Sequence, residues 1–174
     1  MQNHVSADVE AYLSAQLEPT LNQAPEEDGV HFFGLRSGDI GILLDEAVSK
    51  ELVALENLRT IPNAPDWLLG FTNIRSTIMP VVSLSNLIQP SLPPASQKDL
   101  RYLLAIGSGS SGVAVPAFDF PRKLRLSDEQ QYHQRELIPE RLHDFIVNSY
   151  LVDGIPWVQL QLYEFLSTYT RTDS

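Results

Sequence analysis

A mostly β protein built from small antiparallel barrels is the fold that this sequence predicts, and two observations carry the expectation. Short apolar runs are interrupted throughout by turn formers, with 9 Gly and 12 Pro among 174 residues. Strands this short, joined this often, suit barrels, which close on themselves and leave no long edge exposed. The two halves of the chain also follow one plan: a hairpin with a Gly turn, an irregular segment, a second hairpin, and a last strand running into a short leucine-containing segment. Gly41-Ile42-Leu43-Leu44 has a counterpart in Gly112-Val113-Ala114-Val115, and Val81-Val82-Ser83-Leu84 in Val158-Gln159-Leu160-Gln161. The offsets are unequal, so the repeat is loose. The length suits one domain, or two small subdomains sharing a core.

Taken in order, the chain opens on an acidic arm. Before Arg36 stand Asp8, Glu10, Glu18, Glu26, Glu27 and Asp28, with no Lys or Arg. Val5, Val9, Tyr12, Leu13 and Leu17 share one helical stripe that Pro19 ends, which predicts a short amphipathic helix over 6–18 and a linker to about Gly29. Packing on its own domain is the commoner fate of such a helix; docking on a partner is the alternative.

From Val30 the period changes to that of strands. Val30 to Arg36 and Ile40 to Leu44 flank Ser37-Gly38-Asp39 and predict a hairpin. Asp45 to Lys50 suits a helical turn capped by Asp45, and Glu51 to Leu58 a further strand. Pro62 and Pro65 then forbid a helix interior, and Asn73 to Ser76 separate Leu68-Leu69-Gly70-Phe71 from Ile78-Met79-Pro80-Val81-Val82, a second hairpin with Arg75 in its turn.

Residues 89–97, with Pro90, Pro93 and Pro94, form a linker. Beyond it, Leu100 to Ile106 and Val113 to Pro116 read as strands around the turn Gly107 to Gly112. Ser127 with Gln130 three positions on offers a helix start near Asp128, although 128–136 is polar enough to be an exposed loop. Phe145 to Leu151 and Pro156 to Leu162 flank the turn Val152-Asp153-Gly154-Ile155, and a closing helix is expected over 162–169.

Composition excludes several kinds of chemistry. The absence of cysteine removes disulfides, thiolate nucleophiles and Cys-based zinc sites. A net charge of −10 opposes binding to nucleic acid or to anionic lipid. No run approaches the roughly 20 apolar residues of a membrane-spanning helix, and no signal-like start is present, so a cytoplasmic protein without direct membrane insertion is expected.

Candidate catalytic and cofactor-binding groups fare poorly in the sequence. Gly107-Ser108-Gly109-Ser110-Ser111-Gly112 matches the dinucleotide-binding pattern Gly-x-Gly-x-x-Gly and suggests, as an alternative reading, a small β-barrel nucleotide-binding enzyme. The β-branched, Pro-terminated run that follows is no phosphate-binding helix, so a hairpin turn is the expected role. His4, His31, His133 and His143 lack metal-ligand spacing, no Gly-x-Ser-x-Gly elbow occurs, and no isolated carboxylate pair sits in an apolar run. The reading is therefore of a non-enzyme with no catalytic, cofactor or metal residues. Trp67 and Trp157 are expected in the core, with interface anchoring the alternative. Arg75 alone reads either as a cation that keeps an edge soluble or as a partner contact.

Leu68-Leu69-Gly70-Phe71-Thr72-Asn73-Ile74-Arg75-Ser76, followed by Pro80-Val81-Val82-Ser83-Leu84, closely resembles the Asn-φ-Arg-Gly hairpin and Pro-Val-φ-Asp-Leu motif of CheW-like coupling proteins, the adaptors of bacterial chemosensory arrays. Ser76 stands where that family usually has Gly, and Ser83 where it usually has Asp. The missing Gly implies a turn whose backbone departs from the usual one. The resemblance covers roughly residues 30–168 and implies two SH3-like five-stranded barrels around a shared hydrophobic core, the first mainly 30–90 and the second mainly 98–162.

It further implies an adaptor linking a methyl-accepting chemotaxis receptor to a CheA-type histidine kinase. The kinase regulatory domain would pack on the strand Glu51 to Leu55, through Glu51, Leu52 and Val53. The receptor would lie near Asn73, Ile74 and Arg75. The two departures and the acidic arm point to a specialised adaptor of PilI type, serving type IV pilus twitching motility.

Overall fold

The computed structural model describes residues 11–12 and 28–171. Ten strands run in the order β1 (Val30–Ser37), β2 (Ile40–Asp45), β3 (Lys50–Ala54), β4 (Leu68–Ile74), β5 (Thr77–Val82), β6 (Tyr102–Ile106), β7 (Val113–Pro116), β8 (Arg122–Leu126), β9 (Ile146–Val152) and β10 (Ile155–Leu160). A short helix α1 (Leu84–Ile88) follows β5, and α2 (Leu162–Arg171) follows β10. The strands form two five-stranded sheets, ordered β8-β1-β2-β10-β9 and β3-β6-β7-β5-β4.

The internal repeat is visible in this pairing. β10 lies parallel to β2, Val158 beside Ile42, and β5 lies parallel to β7, Val81 beside Ala114. Each half thus contributes two hairpins and one single strand, but not to one sheet. Residues 30–90 supply β1 and β2 to one sheet and β3, β4 and β5 to the other. Turn chemistry fixes which strands form hairpins; which sheet a hairpin joins is set by packing between segments far apart in sequence.

Burial explains why the central strands are apolar on both faces. Phe33, Leu35, Ile42, Leu44, Leu104, Ile106, Val115 and Val158 enter one large cluster between the sheets, which α1 and α2 close with Leu84, Leu87, Leu162 and Phe165. Alternate residues of the same strands turn into two smaller clusters. Phe32, Leu43 and Trp157 fill one, and Val81, Leu103 and Ala114 the other. Successive side chains of a strand point to opposite faces. A strand lying between its own barrel interior and a shared core must therefore be apolar throughout.

Trp157 shows how tight this packing is. Its indole lies across β2 and β1, so close to Gly41 that a Cβ there would overlap ring atoms, and one on Gly34 would stand 2.7 Å from Cζ3. The guanidinium of Arg122 lies 5.7 Å from the ring centroid.

Local expectations differ from the structure in four places. Asp45 to Lys50 forms a turn and not a helix: Val48 donates to the Asp45 carbonyl at 3.1 Å. Lys50 Nζ donates to the carbonyls of Asp45, Glu46 and Val48 at 2.9–3.1 Å and so holds the turn together. The strand expected over 51–58 ends at Ala54. Strand β8, with Arg122, Lys123 and Arg125, is not anticipated from sequence because its charges mask the inward alternation of Leu124 and Leu126. The segment near Asp128 is a three-residue 3-10 turn in which Ser127 and Gln130 cap each other. The helix expected over 6–18 lies outside the described residues, apart from Ala11 and Tyr12, which are helical.

Gly41→Ala is expected to destabilise the fold by about 1–3 kcal/mol or more, because the added methyl has no space beside the Trp157 ring. Urea denaturation followed by tryptophan fluorescence measures the loss.

Candidate functional site

The β4–β5 hairpin closes with Ile74 opposite Thr77, leaving only Arg75 and Ser76 in the turn. Both have positive φ, 48° and 64°. That is the signature of a type I′ turn, whose twist matches the strands it joins. The expectation of a four-residue turn is thus corrected. Ser76 adopts the left-handed conformation itself, at a local cost of about 1–2 kcal/mol, because pairing along β4 and β5 fixes the geometry. The equivalent turn of the other sheet, Asp153-Gly154, has the same pattern, with φ of 51° and 76°.

The hairpin sorts the expected contact residues. Asn73 is exposed, while its neighbour Ile74 is only 8% exposed and packs inside the barrel with Leu69 and Met79. Ile74 therefore seats the turn from within and is not part of its outer surface. The apolar side chain beside Asn73 is its cross-strand partner Ile78, which is 72% exposed. Sequence reading missed Ile78 because the register depends on whether two or four residues form the turn. A four-residue turn would leave Ile74 unpaired in the loop, whereas with two residues it pairs with Thr77 and faces inward.

Glu51, Leu52 and Val53 lie on β3, an edge strand that among the described residues pairs only with β6. Leu52 leans on the shared core and Val53 on the barrel interior, both half-buried. Glu51 reaches across to the hairpin tip, where Arg75 Nη2 donates to its Oε1 at 2.8 Å. That ion pair links the hairpin tip to the β3 edge, two places assigned to separate partners from the sequence.

Beneath that ion pair is a cavity of about 230 Å³ bounded by Lys50, Glu51, Ile74, Arg75 and the start of the Gly-rich loop. Burial holds the Lys50 ammonium below the ordinary lysine value, opposed by the nearby carboxylates of Glu46 and Asp45.

The Gly-rich loop joins antiparallel β6 and β7. Its residues Gly109–Ser111 form a 3-10 turn, Gly107 and Gly109 have positive φ, and the Ser111 hydroxyl donates to the Ser108 carbonyl at 3.1 Å. A strand follows, so no helix N-terminus is presented to a phosphate. Ser83 caps α1: its hydroxyl accepts from the Asn86 amide and donates to Asn86 Oδ1 at 2.7 Å. Ser and Asp serve about equally well there, so that departure from the motif keeps the local structure.

Trp157 is core, and Trp67 is half-buried against the large shared cluster. Among the described residues no cluster of three His, Asp or Glu could hold a metal ion, and no helix is long and apolar enough to cross a membrane.

Ser76→Gly is expected to stabilise the protein by about 0.5–1 kcal/mol by relieving the left-handed serine, seen as a higher thermal midpoint. Arg75 and Glu51 are largely exposed, with side chains 80% and 41% accessible. Removing either is therefore expected to change stability by less than about 1 kcal/mol, measured in the same way.

Comparison with known proteins gives a consistent picture. The family model for the CheW-like domain matches residues 33–167. Among solved structures, the scaffolding protein TtCheW from Thermoanaerobacter tengcongensis is similar in fold, with a TM-score of 0.60 at 15% identity over 83% of this chain and 92% of that one. A search of curated proteins gave no match.

Proposed function

This chain belongs to the CheW-like domain family, and from that premise we propose that it is a non-catalytic adaptor coupling a methyl-accepting chemoreceptor to a CheA-type histidine kinase. The observation that carries the proposal is the Arg75–Glu51 pair, which joins the β4–β5 tip to the β3 edge. An edge strand offers unpaired backbone groups to a partner strand, and an exposed cation beside an exposed Ile gives a helical partner one polar and one apolar contact. In this arrangement the regulatory domain of the kinase packs on β3 through Glu51, Leu52 and Val53. The receptor lies against Asn73, Arg75 and Ile78, with Ile74 fixing the tip from inside. The protein works at the membrane-associated receptor array through these partners.

The pathway we favour is the PilI type of type IV pilus twitching. Support comes from Ser76 and Ser83 in the motif and from an acid-only arm before the domain.

Arg75→Ala is expected to weaken capture of receptor or kinase by about tenfold or more, while the thermal midpoint stays close to wild type. Undiminished capture of both partners would count against this surface. Selective capture of a flagellar kinase over a pilus-associated one would refute the pathway while leaving the adaptor role standing.

A further inference from the structure

A second cavity, of about 210 Å³, is bounded by three segments far apart in sequence: the end of β1 with its turn, the start of α1, and the loop that leaves β7. The first belongs to one sheet, and the other two follow strands of the other. Its wall shares no residue with the cavity beneath the Arg75–Glu51 pair.

Arg36 is the one basic residue in this wall. Its Nη2 donates to the Gly38 carbonyl at 2.8 Å, which fixes the half-buried side chain against the β1–β2 turn. Among the described residues two buried side-chain nitrogens lack a hydrogen-bond partner, Arg36 Nε and Trp157 Nε1. The indole is sealed in the core, whereas the guanidinium borders open space. A buried donor without an acceptor is costly, and more so when it is charged. Asp119 borders the same cavity, yet among the described residues it forms no ion pair with Arg36.

The rest of the wall selects among anions. The Ser83 hydroxyl is buried and donates to Asn86 Oδ1, so Ser85, half-buried with its Oγ 3.1 Å from that of Ser83, is the hydroxyl left for a ligand. Pro116 and Phe118 supply an apolar side, Phe118 being 53% exposed. Asp119, exposed at the same cavity, repels a second negative charge. Serine at 83 contributes as well, because the aspartate usual in the motif would add a carboxylate of the protein's own to this wall.

We propose that this cavity binds a small aliphatic monocarboxylate, with its carboxylate on Arg36 and Ser85 and its hydrocarbon tail against Pro116 and Phe118. A guanidinium and a carboxylate meet through charge-assisted hydrogen bonds, stronger and more directional than neutral ones. The volume equals that of about seven water molecules in the liquid, room for a chain of about four carbons. The bound anion ties the β1–β2 turn of one sheet to α1 and the β7 loop of the other.

Titration of the full chain with sodium butyrate, read by calorimetry and by the thermal midpoint against sodium chloride at equal ionic strength, tests the site. Butyrate is expected to bind with a Kd of about 1 mM, as suits so small a ligand, and to raise the midpoint saturably. Succinate and inorganic phosphate are expected to bind about tenfold more weakly. Arg36→Gln is expected to weaken butyrate about tenfold or more. Since that variant also loses the bond to Gly38, two further variants at exposed positions give independent readings. Asp119→Asn is expected to narrow the disadvantage of phosphate about threefold, and Phe118→Ser to weaken butyrate while leaving acetate unchanged. A midpoint shift no larger than that of sodium chloride would overturn the proposal. So would butyrate binding that Arg36→Gln leaves intact, or phosphate binding as tightly as butyrate to the wild-type chain.

Discussion

Burial of the central strands on both faces governs this structure. β1, β2, β6, β7 and β10 each stand between a barrel interior and the shared core, so their side chains fill three clusters at once. No other arrangement lets strands of four to eight residues bury so much apolar surface without long exposed edges. The constraint explains glycine where β2 passes the Trp157 indole, and it explains why α1 and α2 are short: each only has to plug one end of the shared core.

The same constraint pushes polar function to the margins. Strands that pack on both sides have no face left for a partner, so recognition falls to edges and turns. Among the described residues the outer sides of β3 and β8 pair with no strand, and the β4–β5 tip projects Arg75 and Ile78 outward while Ile74 anchors it within. The tip tolerates a left-handed Ser76 because cross-strand pairing along β4 and β5 outweighs a local conformational cost. Lys50 plays a similar part at the start of β3, its ammonium gathering three carbonyls of the preceding turn.

Electrostatics divide the surface in a way that net charge conceals. Against a balance of −10, the cations Arg122, Lys123 and Arg125 gather on a single strand, and Arg75 meets Glu51 near the start of the edge strand β3. Such local pairs count for little in stability, being exposed and screened. Their weight lies in orienting what approaches, because charge complementarity acts on encounter and register more than on the folded state.

By itself the sequence determined much of what local backbone preference sets. Turn residues and period-2 alternation located the hairpins 30–44, 68–82 and 145–162, the Gly-rich turn and the closing helix, because each is specified by residues near in sequence. Its motif at 68–84 also identified the family. Only the tertiary structure decided which sheet each strand joins, that Ile78 and not Ile74 faces outward, that a charged run forms β8, and that Glu51 meets Arg75 across 24 residues of chain. Those outcomes depend on contacts between distant segments, where the energy of burying a face outweighs any preference a single residue can express.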